Sequence, residues 1–287
     1  MQKKFVIITS SDSKYGDFLA DHWLKSLKVN LDTDLVDIVV LDYGLTSSQK
    51  NKLRKDVKIV KCVRDGHLVN IRFRDMLNFL KKSKYEQIIS SDGGDIIFQK
   101  DITSVFYDHP SEFRIVAEGI QIPNHETSIF SSPFDRTFTK QIMAITKGKK
   151  TLNCGFIVAP VGKFKALCNF VLDKVNNLDL FGPDQVAMNY FLYKNGFHEL
   201  SEDYNFIIAT AKKRFSIKNG VFLNELGKPI AVVHNTGGKD RWRPVSNFGY
   251  GSDRNRLKFF VYHWLRFAYF FSFITIPVLR LYIKLFR

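Results

Sequence analysis

Several features that define common protein classes are missing from this 287-residue sequence. There are only three cysteines, Cys62, Cys154 and Cys168, and their spacing fits neither a disulfide framework nor a metal site. The sequence contains neither a glycine-rich dinucleotide fingerprint nor a P-loop. These absences argue against a disulfide scaffold, a dinucleotide enzyme and an ATPase, and the free cysteines favour a reducing compartment.

The N-terminus also lacks the long apolar run of a signal peptide. The apolar run from Phe5 to Ile8 is far too short for that role and leads at once into polar residues. Internal repeats and low-complexity linkers are absent from the sequence as well. We therefore expect a cytoplasmic protein in which this run is the first strand.

Negative charge is scarce, and its distribution is uneven. The formal net charge is +15, and residues 254–287 include seven Lys and Arg but no Asp or Glu. With 45% hydrophobic and 25% charged residues, the chain as a whole has the composition of a folded globular protein. The basic C-terminal tail predicts a partner of negative charge.

Short apolar runs alternate with helical patterns in the first part of the chain. Strands are expected at 5–8, 37–42, 57–60 and 88–89, with helices around 18–27, 46–55 and 71–82. Later strands are expected at 113–117, 155–159 and 230–233, and later helices at 164–175 and 185–193. This order predicts a mostly parallel sheet, which binds ligands beyond the carboxyl ends of its strands.

The most informative strand end is the sequence Asp92-Gly93-Gly94-Asp95. Two carboxylates separated by residues without side chains leave room for a hydrated divalent cation that carries a diphosphate. Asp and Gly are also ordinary turn residues, so this segment alone fits a hairpin turn as well. Both alternatives are open at this point.

Four segments of the chain, in this order and spacing, resemble one enzyme family. They are residues 87–102, 152–156, 184–189 and 234–242. They resemble the GT-A glycosyltransferases, and among them the retaining family 8 type of bacterial lipooligosaccharide galactosyltransferases and glycogenin. The resemblance implies a Rossmann-like α/β GT-A domain over residues 1–250, with a mixed, mostly parallel central sheet flanked by helices, and a membrane-association tail over residues 251–287.

The chain departs from the family pattern in two places. Asp95 falls on the second carboxylate of the family's Asp-x-Asp motif and Gly93 on the first, so Asp92 is displaced by one residue. Lys239 falls one position early, and no proline precedes Trp242. The first departure concerns metal binding, and the second concerns contacts to the phosphates.

The resemblance implies a metal site and a catalytic pair. Asp92, Asp95 and His234 would hold Mn²⁺ or Mg²⁺, a set of oxygen and nitrogen ligands that suits such ions, although a lone histidine is more often structural. Asp184 and Gln185 would face the transferred sugar as catalytic residues. A carboxylate at the start of a helix is also explained by the helix dipole.

The nucleotide-sugar donor would contact residues from several segments. They are Thr9, Ser10, Ser11, Asp42, Arg72, Arg74, Asp92, Gly93, Asn153, Gly237 and Lys239. Either Arg72 or Arg74 corresponds to an arginine that the family places before the metal motif, although helix-surface arginines are usually solvated. Asn153 also fits an ordinary turn.

The tail, residues 254–287, is rich in aromatic residues. It contains eleven of them, and its uncharged stretch between Arg266 and Arg280 is 13 residues long. That stretch is shorter than the ~20 residues needed to span a bilayer, so the tail is expected to lie in an anionic membrane interface. Packing on the protein's own core and binding of single-stranded nucleic acid are the alternatives. The apolar content favours lipid, and we expect no nucleic-acid partner.

The sequence therefore predicts a hexosyltransferase peripheral on the inner face of the plasma membrane. Its donor would be UDP-galactose or UDP-glucose, and its acceptor a lipid-linked saccharide or surface polysaccharide of lipopolysaccharide or capsule biosynthesis. Transfer would retain the anomeric configuration. An inverting enzyme with a carboxylate base and a non-enzymatic membrane-surface module with a degenerate nucleotide site are the alternatives.

Overall fold

A seven-stranded sheet forms the centre of the structure, a computed structural model that describes residues 3–119, 129, 132, 134–237, 240–268 and 271. Its strands are β1 (Phe5–Ser11), β2 (Val36–Asp42), β3 (Lys58–Lys61), β4 (Gln87–Ser91), β6 (Arg114–Ala117), β7 (Leu152–Pro160) and β8 (His198–Glu199). Their order is β3-β2-β1-β4-β7-β6-β8. Only β7 runs antiparallel to its neighbours among these strands, so the sheet is mixed and mostly parallel.

Helices pack on both faces of this sheet. Helix α1 combines the α-helical Gly16–Phe18, the π-helical Leu19–Leu24 and the α-helical Lys25–Asn30. The others are α2 (Ser47–Leu53), α3 (Leu68–Lys81), α4 (Arg136–Thr146), α5 (Val161–Lys174) and α6 (Pro183–Asn195). The periodic patterns of the sequence therefore correspond to helices in the structure, with ends that differ by a few residues.

Strand β1 shows why the central strands read as continuous apolar runs. Val6 and Ile8 pack in one core cluster with residues of α3, α5 and α6, whereas Phe5 and Ile7 pack in another with residues of α1. Side chains of a strand alternate between faces, and both faces of this sheet are covered. Full burial of each such side chain contributes about 1.5–3 kcal/mol to stability.

A second, smaller sheet lies beside the first. It consists of β5 (Ile96–Phe98), β9 (Phe206–Ile207) and β12 (Val232–His234), with β12 antiparallel to β5 and parallel to β9. Strand β4 pairs with β1 and β7, whereas β5 pairs with β12. The hairpin interpretation of Asp92 to Asp95 is therefore wrong, because this segment carries the chain from one sheet to the other.

Two antiparallel strand pairs complete the sheet structure of the described residues. They are β10 (Phe215–Lys218) with β11 (Val221–Asn224), and β13 (Val245–Ser246) with β14 (Arg256–Leu257). The structure also corrects the end of the first strand, which was expected at residue 8, because Thr9 to Ser11 belong to β1 and pair with Val40 to Asp42. The polar loop begins only at Asp12.

The start of the basic tail is helical over residues 259–268. One side of this helix contacts the body: Tyr262 packs edge-on against Phe215, and Nη1 of Arg266 donates to the carbonyl oxygen of Ala211 at 2.7 Å. Phe260 and Trp264 are 86% and 57% exposed. In the described part of the chain, no helix has the length and apolar character to cross a membrane. Residues 269, 270 and 272–287 lie outside the described residues, and the domain boundary after residue 250 stays a prediction.

Candidate active site

Two aspartates and a histidine converge where the two sheets meet. Asp92 directly follows β4, Asp95 directly precedes β5, and His234 is the last residue of β12. The Nε2 atom of His234 lies 3.4 Å from Oδ1 of Asp95 and 3.8 Å from Oδ2 of Asp92. One ligand atom from each residue lies within 4.8 Å of the other two. Asp92 thus reaches the cluster despite its displacement by one residue.

Glycines make this convergence possible. A Cβ atom on Gly93 would lie 2.5 Å from Oγ1 of Thr9, and a Cβ atom on Gly94 would lie 2.9 Å from the ring of Tyr15. A Cβ atom on Gly155 would collide with the imidazole of His234. A side chain at any of these positions would therefore have to displace Thr9, Tyr15 or His234.

A chain of amides fixes the tautomer of His234. Oδ1 of Asn153 accepts hydrogen bonds from the backbone N–H of Gly155 at 2.8 Å and from Nδ2 of Asn205 at 3.0 Å. Oδ1 of Asn205 therefore faces Nδ1 of His234, at 2.9 Å, and that nitrogen must be the donor. This leaves Nε2 directed at the aspartates, which is the arrangement a metal-binding histidine requires.

The carboxylates and the imidazole shift each other's titration. Burial lowers the pKa of His234, but Asp95 and Asp92 outweigh it, so the pKa lies above its ordinary value. Burial raises the pKa of Asp95, but His234 and Arg243 outweigh it, so the pKa lies below its ordinary value. Asp95 is thus held as an anion in a largely buried position.

The buried Arg72 on α3 lies beside the cluster and pairs with acidic side chains there. Its side chain is 5% exposed, pairs with Asp92 and has Nη2 at 3.6 Å from Oδ2 of Asp184. Burial opposes the charge of the guanidinium, but Asp92 and Asp184 raise the pKa of Arg72 above its ordinary value. Arg72 therefore stays cationic and holds two acidic side chains together.

A second arginine, Arg243, also contacts the cluster. Its Nη2 lies 3.4 Å from Oδ2 of Asp95, and its Nη1 donates to the carbonyl oxygen of Gly94 at 3.1 Å. The Nε atom donates to the carbonyl oxygen of Gly237 at 3.3 Å, and the guanidinium lies over the ring of Tyr15. Gly237 has φ 154, and a Cβ atom there would press on the Arg243 side chain.

The predicted catalytic pair opens helix α6. Asp184 is 3% exposed, and burial, opposed mainly by Arg72, raises its pKa to about 6. It lies in the first turn, next to Pro183, so it also suits the helix start. Oε1 of Gln185 accepts a hydrogen bond from the backbone N–H of Cys154 at 3.3 Å. The Gln185 side chain therefore lies beside Asn153 on β7.

Other predicted donor residues lie along the same edge of the sheet. Thr9 and Ser11 are buried near the end of β1, Ser10 is half-buried between them, and Asp42 ends β2 beside Ser11. Asp42 accepts the N–H groups of its own loop and pairs with Lys50 at 2.7 Å. Its pKa is lowered because these contacts outweigh burial. The carboxylate of Asp42 is thus engaged locally.

One predicted donor residue is not brought to the cluster. Arg74 bonds to Asp65 and Asp75 near the surface, because residues two positions apart on a helix do not share a face. The structure therefore selects Arg72 rather than Arg74. Lys239 lies outside the described residues.

Sequence reasoning missed Glu118, Asn205 and Arg243. Glu118 directly follows the buried strand β6, so it has the same sequence signal as Asp92, an acidic residue at the end of an apolar strand. Its Oε1 accepts from Nδ2 of Asn153 at 3.0 Å, and its Oε2 has no hydrogen-bond partner among the described residues. Asn205 and Arg243 come from irregular segments, where no periodic pattern points to a buried position.

Comparison with known proteins identifies the fold. No family profile and no curated protein match the chain. Similar solved structures include LgtC, a galactosyltransferase crystallised with donor and acceptor sugar analogues, at TM-score 0.55 and 14% identity, covering 85% of this chain and 90% of LgtC. An active-site mutant of LgtC gives TM-score 0.54 and 14% identity over 92% of this chain and 95% of that protein.

Two further similar structures are also glycosyltransferases. GlyE of Streptococcus pneumoniae gives TM-score 0.51 and 15% identity over 92% of this chain and 60% of GlyE. The bifunctional WbbM gives TM-score 0.53 and 16% identity over 84% of this chain and 47% of WbbM. At these identities the similarity shows the fold, and the predicted GT-A fold is confirmed.

Glu118 should make stability depend on pH. Burial raises its pKa to about 7, against an ordinary value of 4.5 and opposed by the Asn153 hydrogen bond. The protonated form is therefore favoured in the folded state, and its stabilising contribution is lost as pH rises through about 7. Glu118→Gln keeps a neutral side chain at every pH. As pH rises from about 5 to about 8, its free energy of unfolding should therefore increase relative to that of the wild type by up to about 3 kcal/mol.

Urea unfolding at several pH values measures this difference. The exposed Glu225→Gln variant controls for the loss of one negative charge. Wild-type and Glu118→Gln stability curves that stay parallel over this range would contradict a buried, protonated Glu118.

Proposed function

We propose that this protein is a metal-dependent glycosyltransferase that moves a hexose from a nucleotide sugar to a saccharide acceptor. The observation that carries the proposal is the junction of the two sheets, where Asp92, Asp95 and Nε2 of His234 converge between two arginines. Departure of a nucleoside diphosphate leaves negative charge that cations stabilise. The GT-A fold of the chain supports this reading by analogy.

The residues present fit a divalent cation. The fixed tautomer of His234 directs a ring nitrogen at the two carboxylates, and one ligand atom from each of the three residues lies within 4.8 Å of the others. Asp92, Asp95 and His234 would hold Mn²⁺ or Mg²⁺, which suits carboxylate and imidazole ligands. When bound, the ion supplies positive charge to the diphosphate oxygens of the donor, a UDP-sugar in our proposal.

Arg243 is the residue that we propose as the phosphate contact. Nη2 of Arg243 lies 3.4 Å from Oδ2 of Asp95, and if Asp95 held a cation, the guanidinium would be available to another anion. Planar guanidinium groups match phosphate oxygens in a bidentate manner. Arg243 thus balances the charge of Asp95 in this structure and would contact the diphosphate of a bound donor.

Asp184, Gln185, Asn153 and Glu118 form the part of the site that would face the sugar. Asp184 is mostly ionised at neutral pH because its pKa is about 6, and Arg72 holds it near Asp92. Gln185 and Asn153 offer amide groups beside it. Such a set suits recognition of sugar hydroxyls and, as we propose, transfer with retention. The anomeric configuration of the product, measured by NMR, separates retention from inversion.

The exposed side of the helix at 259–268 supports a proposal for the acceptor and the location. Phe259, Phe260 and Trp264 are 62%, 86% and 57% exposed, and basic residues flank them. Aromatic rings beside cations suit the interface of an anionic bilayer. We therefore propose a lipid-linked saccharide acceptor of lipopolysaccharide or capsule type, at the inner face of the plasma membrane.

Asp95→Asn tests the metal site. Loss of the carboxylate should lower hydrolysis and transfer of the preferred donor by at least about 100-fold with little change in stability. Activity is measured with a panel of nucleotide sugars and Mn²⁺, and unfolding is followed in parallel. Asp101→Asn is the matched control, because exposed Asp101 only caps the turn at Thr103. Unimpaired Asp95→Asn activity would refute the proposed function.

Arg243→Gln tests the phosphate contact. Titration of Mn²⁺ alone should show binding at least as tight as in the wild type, because Arg243 no longer competes for Asp95. Titration of UDP in the presence of Mn²⁺ should be weaker by about 10- to 100-fold, the loss of a charge-assisted hydrogen bond. The exposed Arg241→Gln variant should change neither. Unchanged UDP affinity in Arg243→Gln would rule out the phosphate contact.

A double variant, Phe260→Ser with Trp264→Ser, tests membrane binding. It removes outward rings and keeps Tyr262 and Arg266, which contact the body. Sedimentation with anionic phosphatidylglycerol vesicles should fall several-fold, and wild-type binding should weaken with salt. Phe181→Ser, at a position 72% exposed on another surface, is the matched control. Wild-type sedimentation of the double variant would contradict the membrane interface.

A further inference from the structure

A second group of metal-type ligands lies at the opposite end of the central sheet from the candidate active site. Asp108 and His109 follow the 3₁₀ turn Thr103–Phe106, and His198 begins β8. The first residue of β4, Gln87, donates to the carbonyl oxygen of Pro110 at 2.7 Å. The group therefore lies where β4 begins, whereas Asp92 lies where β4 ends.

The atoms of this group are spaced for one small cation. Nε2 of His109 lies 3.7 Å from Oδ1 of Asp108, and Nε2 of His198 lies 3.9 Å from Oδ2 of the same carboxylate. One ligand atom from each residue lies within 4.8 Å of the others. Two ligands of a tetrahedral zinc ion lie about 3.3 Å apart, so a small side-chain rotation closes the site.

Glu112 supplies the outer partner that metal-binding histidines usually have. Its Oε1 lies 3.3 Å from Nδ1 of His109, and its backbone N–H donates to the carbonyl oxygen of His109 at 2.9 Å. A proton on Nδ1 shared with this carboxylate leaves Nε2 of His109 as the free ligand nitrogen. Carboxylate–histidine pairs of this kind orient the ring and raise its basicity toward a metal.

The backbone under the three ligands is firmly held. Arg114 is fully buried and donates to the carbonyl oxygens of Val105 at 2.8 Å and Asp108 at 2.9 Å. The N–H of His198 donates to the carbonyl oxygen of Phe113 at 2.7 Å. His109 has φ 44, a left-handed conformation that turns its side chain toward His198. The ligands thus differ from surface residues on a free loop.

We propose that Asp108, His109 and His198 form a surface site for a zinc-like divalent transition metal, with the remaining coordination position open. Two imidazoles and one carboxylate favour Zn²⁺ or Co²⁺ over Mg²⁺, which prefers oxygen ligands. The two rings stack with centroids 3.6 Å apart, so binding requires them to splay until both Nε2 atoms face the ion. Both side chains are partly exposed, 43% and 33%, so this rotation displaces little packing.

The test uses the full-length Asp95→Asn protein, in which the candidate active-site ligands are incomplete. Zn²⁺ is titrated by calorimetry, and Co²⁺ by its visible absorption bands. One bound ion is expected, together with shifts of the His109 and His198 ring protons in NMR spectra. His198→Ala and His109→Asn should each lower the affinity at least about 10-fold. Asn tolerates the left-handed backbone at position 109, so this variant keeps the turn intact.

Glu112→Gln separates a metal site from a stacked histidine pair. It keeps all three ligands, and it should lower Zn²⁺ affinity by about 10- to 100-fold through the lost carboxylate partner. Zn²⁺ and Co²⁺ binding that is the same in all three variants would overturn the proposal. The result is independent of donor hydrolysis, so it stands or falls separately from the proposed function.

Discussion

The structure around the junction of the two sheets depends on compensating the negative charge of two carboxylates. Asp92 and Asp95 come close together because the glycines between them let β1 and Tyr15 approach the turn. Anions in a partly buried position are costly unless cations compensate them. Arg72, Arg243 and His234 provide that compensation from three separate segments of the chain. The negative charge of Asp95 is thus compensated by side chains that come from outside its own segment.

The need to compensate the two carboxylates also explains the buried polar side chains that are linked by hydrogen bonds to Nδ1 of His234, on the far side of the ring from the aspartates. The chain from Glu118 through Asn153 and Asn205 to His234 has one fixed donor, the backbone N–H of Gly155, and the orientation of each amide follows from it. The ring nitrogen that faces the aspartates is thus determined several residues away. Glu118 ends this chain with a buried carboxyl group whose pKa is about 7, so the network is sensitive to pH near neutrality.

Much of the fold was predictable because the buried strands and helices follow simple periods. Apolar runs such as Ile38 to Leu41 are buried on both faces, and Asp92 and Asp95 follow such a run. The hairpin alternative could not be excluded in advance, because strand partners distant in sequence decide it. Arg243 and Asn205 were not predictable, since their positions depend on irregular segments packed around His234. The choice of Arg72 over Arg74 also needed the orientation of α3, which the sequence leaves open.

The central claim is that Asp92, Asp95 and His234 bind a divalent cation together with a nucleoside diphosphate. Calorimetric titration of UDP into the wild-type protein, with and without Mn²⁺, tests it most directly. The account predicts a single UDP site whose affinity rises at least about 10-fold when Mn²⁺ is present, because an ion held by the three residues would supply positive charge to the diphosphate. Equal UDP affinity in both conditions, or no binding in either, would contradict it.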